Sequence, residues 1–231
     1  MTPPPEHETD VRRDGRTTMN RAALLRSMPR RRALLALLAC LVMAPVWAAD
    51  SAAPVLSGPA LLDALRHGGL IIYFRHASTD FGQNDDQMTG YEDCAKQRNL
   101  TDRGREEARQ IGVALRALDL PIGDVLASPF CRTLETARLI FGKATASAAV
   151  RGGPARPDSP DRYAELRALL SSPPRAGTDL VIVSHGNPFR AVASESYLAE
   201  GEAAVVRPLG TKGFEILARV PKDGWSSLRK P

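Results

Sequence analysis

Two arginines and two histidines lie at or shortly after the ends of apolar runs: Arg75, His76, Arg132 and His185. Guanidinium groups grip an oxyanion through forked, charge-assisted hydrogen bonds. A neutral imidazole can attack phosphorus and divide one difficult displacement into two easier steps. These residue types together predict a phosphate pocket that contains its own nucleophile.

The apolar runs before these residues are short and continuous, which is typical of strands buried on both faces. They cover residues 70–74 (LIIYF), 125–127 (VLA) and 180–183 (LVIV). Ligands bind at the carboxyl ends of the strands in open α/β sheets. We therefore expect the four basic side chains to meet at one edge of one sheet.

Segments with helical spacing alternate with these runs. We predict helices over residues 60–67, 130–141 and 188–199. A further helix begins after the capping residue Thr101, and another ends with residues 166–170. Closing strands are predicted over 203–207 and 214–220. The irregular residues 76–99 are a functional-loop candidate, and 143–160 are a surface excursion. This alternation predicts a three-layer α/β/α sandwich with a mostly parallel central sheet.

The positive charge of the 231-residue chain is unevenly distributed. The chain has 31 basic and 26 acidic side chains, a formal charge of +5. Residues 1–48 contain eight basic and four acidic side chains, which leaves 23 and 22 for residues 49–231. The larger segment therefore carries only +1, too little to support a nucleic-acid-binding function.

Residues 1–48 are predicted to be an N-terminal extension with a signal peptide, and residues 49–231 the functional domain. Three arginines (30–32) precede the apolar residues 33–46, and small residues at the right spacing predict cleavage after Ala48. Translation would start at Met19 or Met28 for a signal of ordinary proportions. We expect a periplasmic or secreted protein with no stable membrane insertion after cleavage. The alternatives are an uncleaved signal anchor and a lipoprotein site ending at Cys40.

Export changes the interpretation of the three cysteines. Cys40 would be removed with the signal, and Cys94 and Cys131 would remain as an even pair in an oxidising compartment. We therefore predict a disulfide between them. The alternative is two unrelated buried thiols.

Four segments resemble the histidine phosphatase superfamily, also called phosphoglycerate-mutase-like. They are Arg75-His76-Ala77, residues 100–104 (LTDRG), residues 128–137 (SPFCRTLETA) and Ser184-His185-Gly186. The resemblance extends from about residue 70 to residue 199, and SPFCRTLETA is its most distinctive part. Ala77 departs from the glycine usual in the family, but this change removes no reactive group.

The resemblance implies a role for each site residue. His76 would be the nucleophile that becomes phosphohistidine, and Arg75, Arg132 and His185 would hold the phosphoryl oxygens. Thr79 and the Gly186 amide are further candidate donors for substrate binding. No metal and no cofactor are expected, because the arginines would offset the transition-state charge. The expected partner is a small phosphorylated substrate, and the oligomeric state is not predicted.

The family usually supplies a carboxylic acid that protonates the leaving group, at a position that varies between branches. Glu165 lies in about the right region and is our candidate. Glu202 and Asp80 are rivals, and Asp80 is close in sequence to the nucleophile.

The expected function is metal-independent phosphomonoester hydrolysis. Two alternatives keep the same fold, a phosphohistidine-protein phosphatase and a binding module that holds a phosphorylated ligand without turnover. Other classes lack their motifs: the sequence has no zinc-type His or Cys spacing, no Gly-x-Ser-x-Gly elbow and no glycine-rich phosphate loop. The natural substrate is not identified, because specificity would lie in residues 77–99 and 143–165.

Overall fold

The central sheet has six strands in the order β3-β2-β4-β1-β5-β6. The computed structural model describes residues 55–151 and 161–230. Strands β1, β2, β3 and β4 all run in the same direction, and β5 runs antiparallel to its two neighbours, β1 and β6. The strands are β1 Ile71–Arg75, β2 Ile122–Ala127, β3 Thr145–Ala146, β4 Asp179–Ser184, β5 Ala203–Pro208 and β6 Phe214–Val220. The predicted mostly parallel sheet is confirmed.

Helices cover both faces of the sheet, as the three-layer prediction requires. They are α1 Gly58–His67, α2 Asp102–Ala117, α3 Cys131–Phe141, α4 Ala164–Ser171 and α5 Gly186–Ala193. Side chains of β1 alternate between the layers: Ile72 and Phe74 join the core under α1, α2 and α3, whereas Ile71 and Tyr73 join the core under α4 and α5. Both faces of β1 are therefore buried, which explains its continuous apolar sequence.

The beginning of α2 is packed tightly against the loop that follows β1. The Thr101 hydroxyl accepts a hydrogen bond from the Gly104 amide at 2.9 Å, which confirms the predicted cap. A Cβ on Gly104 would collide with the Ser78 carbonyl oxygen. Glycine is therefore required at the end of the LTDRG segment so that α2 can approach the chain just beyond His76.

Two details differ from the sequence-based prediction. Helix α5 ends at Ala193 rather than at residue 199, because Ser194 adopts the left-handed conformation with φ of 55°. Residues 195–199 then run as an irregular segment that returns the chain towards His76. The second difference is the short strand β3, which extends the sheet inside the predicted surface excursion.

The predictions for residues 1–48, which are the signal peptide, its cleavage after Ala48 and Cys40, lie outside the described residues. Within residues 55–151 and 161–230, no helix is long and apolar enough to cross a membrane.

Asp179, at the start of β4, is a buried carboxyl group whose charge should destabilise the fold. One of its oxygens accepts a hydrogen bond from the Leu70 amide, and the other has no partner in the part of the chain that the structure describes. Burial raises the pKa of Asp179 from 3.8 to about 6, although the Leu70 hydrogen bond opposes this shift. The folded state thus holds this proton more tightly than the unfolded state, so stability is lost as pH rises from about 4 to about 6.

We expect Asp179→Asn to relieve that cost, because the amide keeps the acceptor for Leu70 and cannot ionise. The quantity of interest is the free energy of unfolding of the variant minus that of wild type. This difference should be larger at pH 8 than at pH 4.5 by roughly 2–3 kcal/mol. Urea unfolding of both proteins at the two pH values measures this difference. An equal effect of the substitution at both pH values would contradict the assignment.

Candidate active site

His76 is held as a buried, neutral imidazole directly after β1. Its amide donates a hydrogen bond to the Ser184 carbonyl at 3.0 Å, and its side chain is only 1% exposed. Burial, and after it the charges of Arg132 and Arg75, lower its pKa to about 3. Nδ1 lies 2.9 Å from the Ala77 carbonyl, which can only accept a hydrogen bond. Nδ1 of the neutral ring therefore carries the proton, and Nε2 keeps the lone pair that a nucleophile needs.

His185 lies beside His76 because β1 and β4 are parallel neighbours. Arg75 pairs with Ser184 in the sheet register, and the two imidazole centroids are 5.6 Å apart. Nε2 of His185 lies 2.8 Å from the hydroxyl of Ser128, which follows β2. The Tyr73 hydroxyl donates a hydrogen bond to the His185 carbonyl. Burial, followed by nearby charges, lowers the pKa of His185 well below 6.5.

The two predicted arginines are each held by a carboxylate. Arg132 donates from its two terminal nitrogens to both oxygens of Asp85, at 2.9 and 3.1 Å. Arg75 lies 3.5 Å from Glu200 and donates to the Leu198 carbonyl. In both arginines the Nε–H is buried and has no hydrogen-bond partner among residues 55–151 and 161–230.

These groups surround a cavity of about 340 Å³ at the carboxyl edge of the sheet. Arg75, His76, Arg132, His185 and Gly186 all line it, so the structure brings together five of the seven predicted site residues. Gly186 is the first residue of α5, where the amide N–H groups have no partner within the helix. Free N–H donors and a neutral imidazole nucleophile at one cavity suit a phosphoryl group.

The structure does not bring the other two predicted residues to the cavity. Glu165 is exposed in the first turn of α4 and is not among the lining residues. Thr79 is buried, and its hydroxyl donates to Glu200 at 2.6 Å, so it is not available to a substrate. The two rival acids are also elsewhere, since Glu202 pairs with Arg219 and exposed Asp80 accepts from the Gly82 amide.

Four charged residues at this site were missed by sequence reasoning: Asp85, Asp86, Arg98 and Glu200. Asp85 and Arg98 line the cavity from the loop after β1, and Glu200 lies beside Arg75 and Thr79. Glu200 is also 3.9 Å from Nδ1 of His76, but the neutral imidazole forms no ion pair with it. None of the four directly follows a strand, so the pattern that identified the basic residues could not find them.

Asp85 is a carboxylate whose two oxygens are already used. It accepts from Arg132 and from the Arg98 amide. Burial raises its pKa, but these hydrogen bonds and the charge of Arg132 outweigh burial, and the net shift is downward. Asp85 is therefore ionised and suited to orienting Arg132 rather than to donating a proton. The other carboxylate among the described residues lining the cavity is Asp86.

The predicted disulfide between Cys94 and Cys131 is confirmed, with Cα atoms 5.7 Å apart. It joins the loop after β1 to the first residue of α3, next to Arg132. The Gln97 side chain reinforces this link, because its carbonyl oxygen accepts from the Cys131 amide at 2.9 Å. The bridge therefore connects the loop that carries Asp85 and Arg98 to the helix that carries Arg132.

We expect reduction of the bridge to affect the site as well as the fold. In the chain-entropy model a bridge that spans 37 residues contributes roughly 4 kcal/mol to the free energy of unfolding. Cys94→Ser should lower that free energy and raise the KM for an aryl phosphate by several-fold, well below the unfolding temperature. The double variant Cys94→Ser/Cys131→Ser is the control for reactions of the freed thiol. Unchanged kinetics in both variants would show that the bridge is purely structural.

Among the described residues, no group of three or more His, Cys, Asp or Glu side chains is arranged to hold a metal ion.

Comparison with known proteins agrees with the motifs. Residues 71–153 match the family model of the histidine phosphatase superfamily (branch 1), a segment that contains Arg75, His76 and Arg132. No curated protein sequence matches the chain significantly.

Solved structures with a similar fold include the protein histidine phosphatase SixA in complex with tungstate. It is 17% identical, with a TM-score of 0.46 over 66% of this chain and 97% of that chain. A mycobacterial glucosyl-3-phosphoglycerate phosphatase with inorganic phosphate is 15% identical, with a TM-score of 0.47 over 69% and 99%. YhfR from Bacillus stearothermophilus is 18% identical, with a TM-score of 0.40 over 60% and 90%. The family-model match itself confirms, over residues 71–153, that this chain resembles the histidine phosphatase superfamily.

Proposed function

We propose that this chain is a phosphatase that hydrolyses phosphomonoesters through a phosphohistidine intermediate on His76. One observation carries the proposal: a buried imidazole, whose Nε2 makes no hydrogen bond with any described residue, lines the same cavity as the guanidinium groups of Arg75 and Arg132. The nucleophile and the donors for developing negative charge are thus already assembled at one site.

In the first step Nε2 of His76 attacks phosphorus, and the bond between phosphorus and the ester oxygen breaks. Arg75 and Arg132 stabilise the charge that spreads over the phosphoryl oxygens, with His185 on the same wall. The leaving oxygen takes up a proton. In the second step a water molecule attacks phosphorus, the phosphorus–nitrogen bond breaks, and His76 is regenerated with release of inorganic phosphate.

Asp86 is our candidate for the proton transfers in place of Glu165. It lies at the exposed rim of the cavity, and its carboxylate makes no hydrogen bond or ion pair with any described residue. Asp85, in contrast, has both oxygens committed to Arg132. The assignment to Asp86 rests on position and availability.

The test is hydrolysis of a generic aryl phosphate by the purified full chain in excess chelator. We expect turnover by wild type, which in excess chelator would support metal independence. Loss of turnover in His76→Ala would support His76 as the nucleophile. Wild type that binds inorganic phosphate without turnover would instead support the binding-module alternative. Wild type that hydrolyses only a phosphohistidine peptide would support the protein-phosphatase alternative.

We also propose that the chain is exported and cleaved after Ala48. The Cys94–Cys131 disulfide supports this proposal, because such bridges persist mainly in oxidising compartments. In a bacterial host, the intact mass of protein from the periplasmic fraction should correspond to a chain that begins at Ala49. A full-length chain in the cytoplasmic fraction would contradict export.

A further inference from the structure

The cavity contains a third arginine, and it differs from the other two in having no carboxylate partner. Arg132 is paired with Asp85, and Arg75 is close to Glu200. The guanidinium of Arg98 makes no hydrogen bond and no ion pair with any residue in the described ranges, and its Nε–H is buried. A guanidinium that lines a cavity and has no ion-pair partner among the described residues can donate charge-assisted hydrogen bonds to an anion bound there.

The position of Arg98 is fixed by its main chain on both sides. Its amide donates to Asp85 at 2.9 Å, and its carbonyl accepts from Arg132 at 3.2 Å. The guanidinium carbon lies 5.0 Å from the centroid of the Phe81 ring, a cation–π arrangement that directs the planar group. Arg98 is thus held beside Arg132 by the same carboxylate that orients Arg132, while its guanidinium donates no hydrogen bond to a described residue.

The charge of Arg98 acts on the reacting groups. It lies close enough to contribute, after burial and other nearby charges, to the lowered pKa values of both His76 and His185. A phosphate monoester brings close to two negative charges to this cavity at neutral pH. Arg75 and Arg132 are already partly neutralised by their carboxylates, so the guanidinium of Arg98 adds an attraction for this charge that those two pairs do not supply.

We infer that Arg98 is a substrate-binding residue: a third guanidinium ligand of the phosphoryl group, presented by the disulfide-anchored loop. The inference rests on the proposed function, since it assigns a further ligand to the same site. It also explains why residues 76–99 are tied so closely to α3, because the bridge and Asp85 fix the distance between Arg98 and Arg132.

The test measures the affinity of inorganic phosphate by isothermal titration calorimetry at pH 8, which does not depend on turnover. Arg98→Gln should raise the dissociation constant by about 10- to 100-fold, as expected for loss of a charge-assisted contact. Arg98→Lys keeps the charge without the planar fork and should bind more weakly than wild type but more tightly than Arg98→Gln. Arg109→Gln removes an exposed charge on α2 and should stay within about two-fold of wild type.

The outcomes separate the two proposals. If wild type binds phosphate and Arg98→Gln binds it equally well, Arg98 is not a ligand, although the phosphatase proposal stands. If wild type binds no phosphate, both proposals fail. Thermal unfolding of each variant checks the fold, and if Arg98→Gln is unfolded, Arg98→Lys decides the question. Wild-type affinity in Arg98→Lys would then overturn the inference.

Discussion

Replacing His76 with alanine is expected to reduce the turnover of an aryl phosphate by at least about 10⁴-fold, the scale observed when an enzyme loses its covalent nucleophile. The reason is geometric. Nδ1 of His76 donates to the Ala77 carbonyl, so Nε2 is the ring atom with a lone pair directed away from the backbone. His185 is the other imidazole among the described residues that line the cavity, and its Nε2 is hydrogen-bonded to Ser128.

His67→Ala is the matched control, since His67 is an exposed histidine at the end of α1, before β1 begins, and does not line the cavity. We expect it to retain wild-type kinetics. Inorganic phosphate should still bind to His76→Ala, because the arginines remain in place. Residual activity in His76→Ala within ten-fold of wild type would show that hydrolysis proceeds without this nucleophile.

The second large effect is expected for Arg132→Ala, which should lower kcat/KM by about 10³-fold. Arg132 is only 5% exposed, lines the cavity and is held by both oxygens of Asp85. Its removal also leaves Asp85 without its partner, so a negative charge would then face the incoming phosphate. Steady-state kinetics with the same aryl phosphate measures the loss.

Two variants separate charge from geometry at this position. Arg132→Lys keeps the charge but cannot form the paired contact with Asp85, so we expect it to recover only a small part of the activity. Arg138→Ala removes an exposed arginine from the same helix and should be close to wild type. If Arg132→Lys is fully active, the forked contact between the guanidinium and Asp85 is not required for catalysis.

The basic half of the site could be predicted because it depends on short-range information. Each buried strand is an apolar run, and the side chain that follows it must emerge at the carboxyl edge of a parallel sheet. The register of β1 against β4 pairs Arg75 with Ser184, and this pairing alone places His76 and His185 side by side. The sheet itself could be predicted for a similar reason, because alternating helices and buried strands leave few arrangements open.

The acidic half could not be predicted, because it depends on how loops fold back over the strand ends. Asp85 meets Arg132 across 47 residues, and Glu200 meets Thr79 across 121. A carboxylate in a polar loop has no periodicity that distinguishes it from a solvated surface charge. Family resemblance alone favours Glu165 as the acid, and the structure places it on an exposed helix surface.

The most direct test of the central claim is to identify the phosphorylated residue during turnover. The full chain would be mixed with a labelled phosphomonoester, quenched in alkali within milliseconds to seconds, digested and analysed by mass spectrometry. We predict one phosphate on the peptide that contains His76, stable to alkali, lost in acid and absent from His76→Ala. A phosphate that survives acid, or one attached to a different residue in wild type, would contradict the phosphohistidine mechanism.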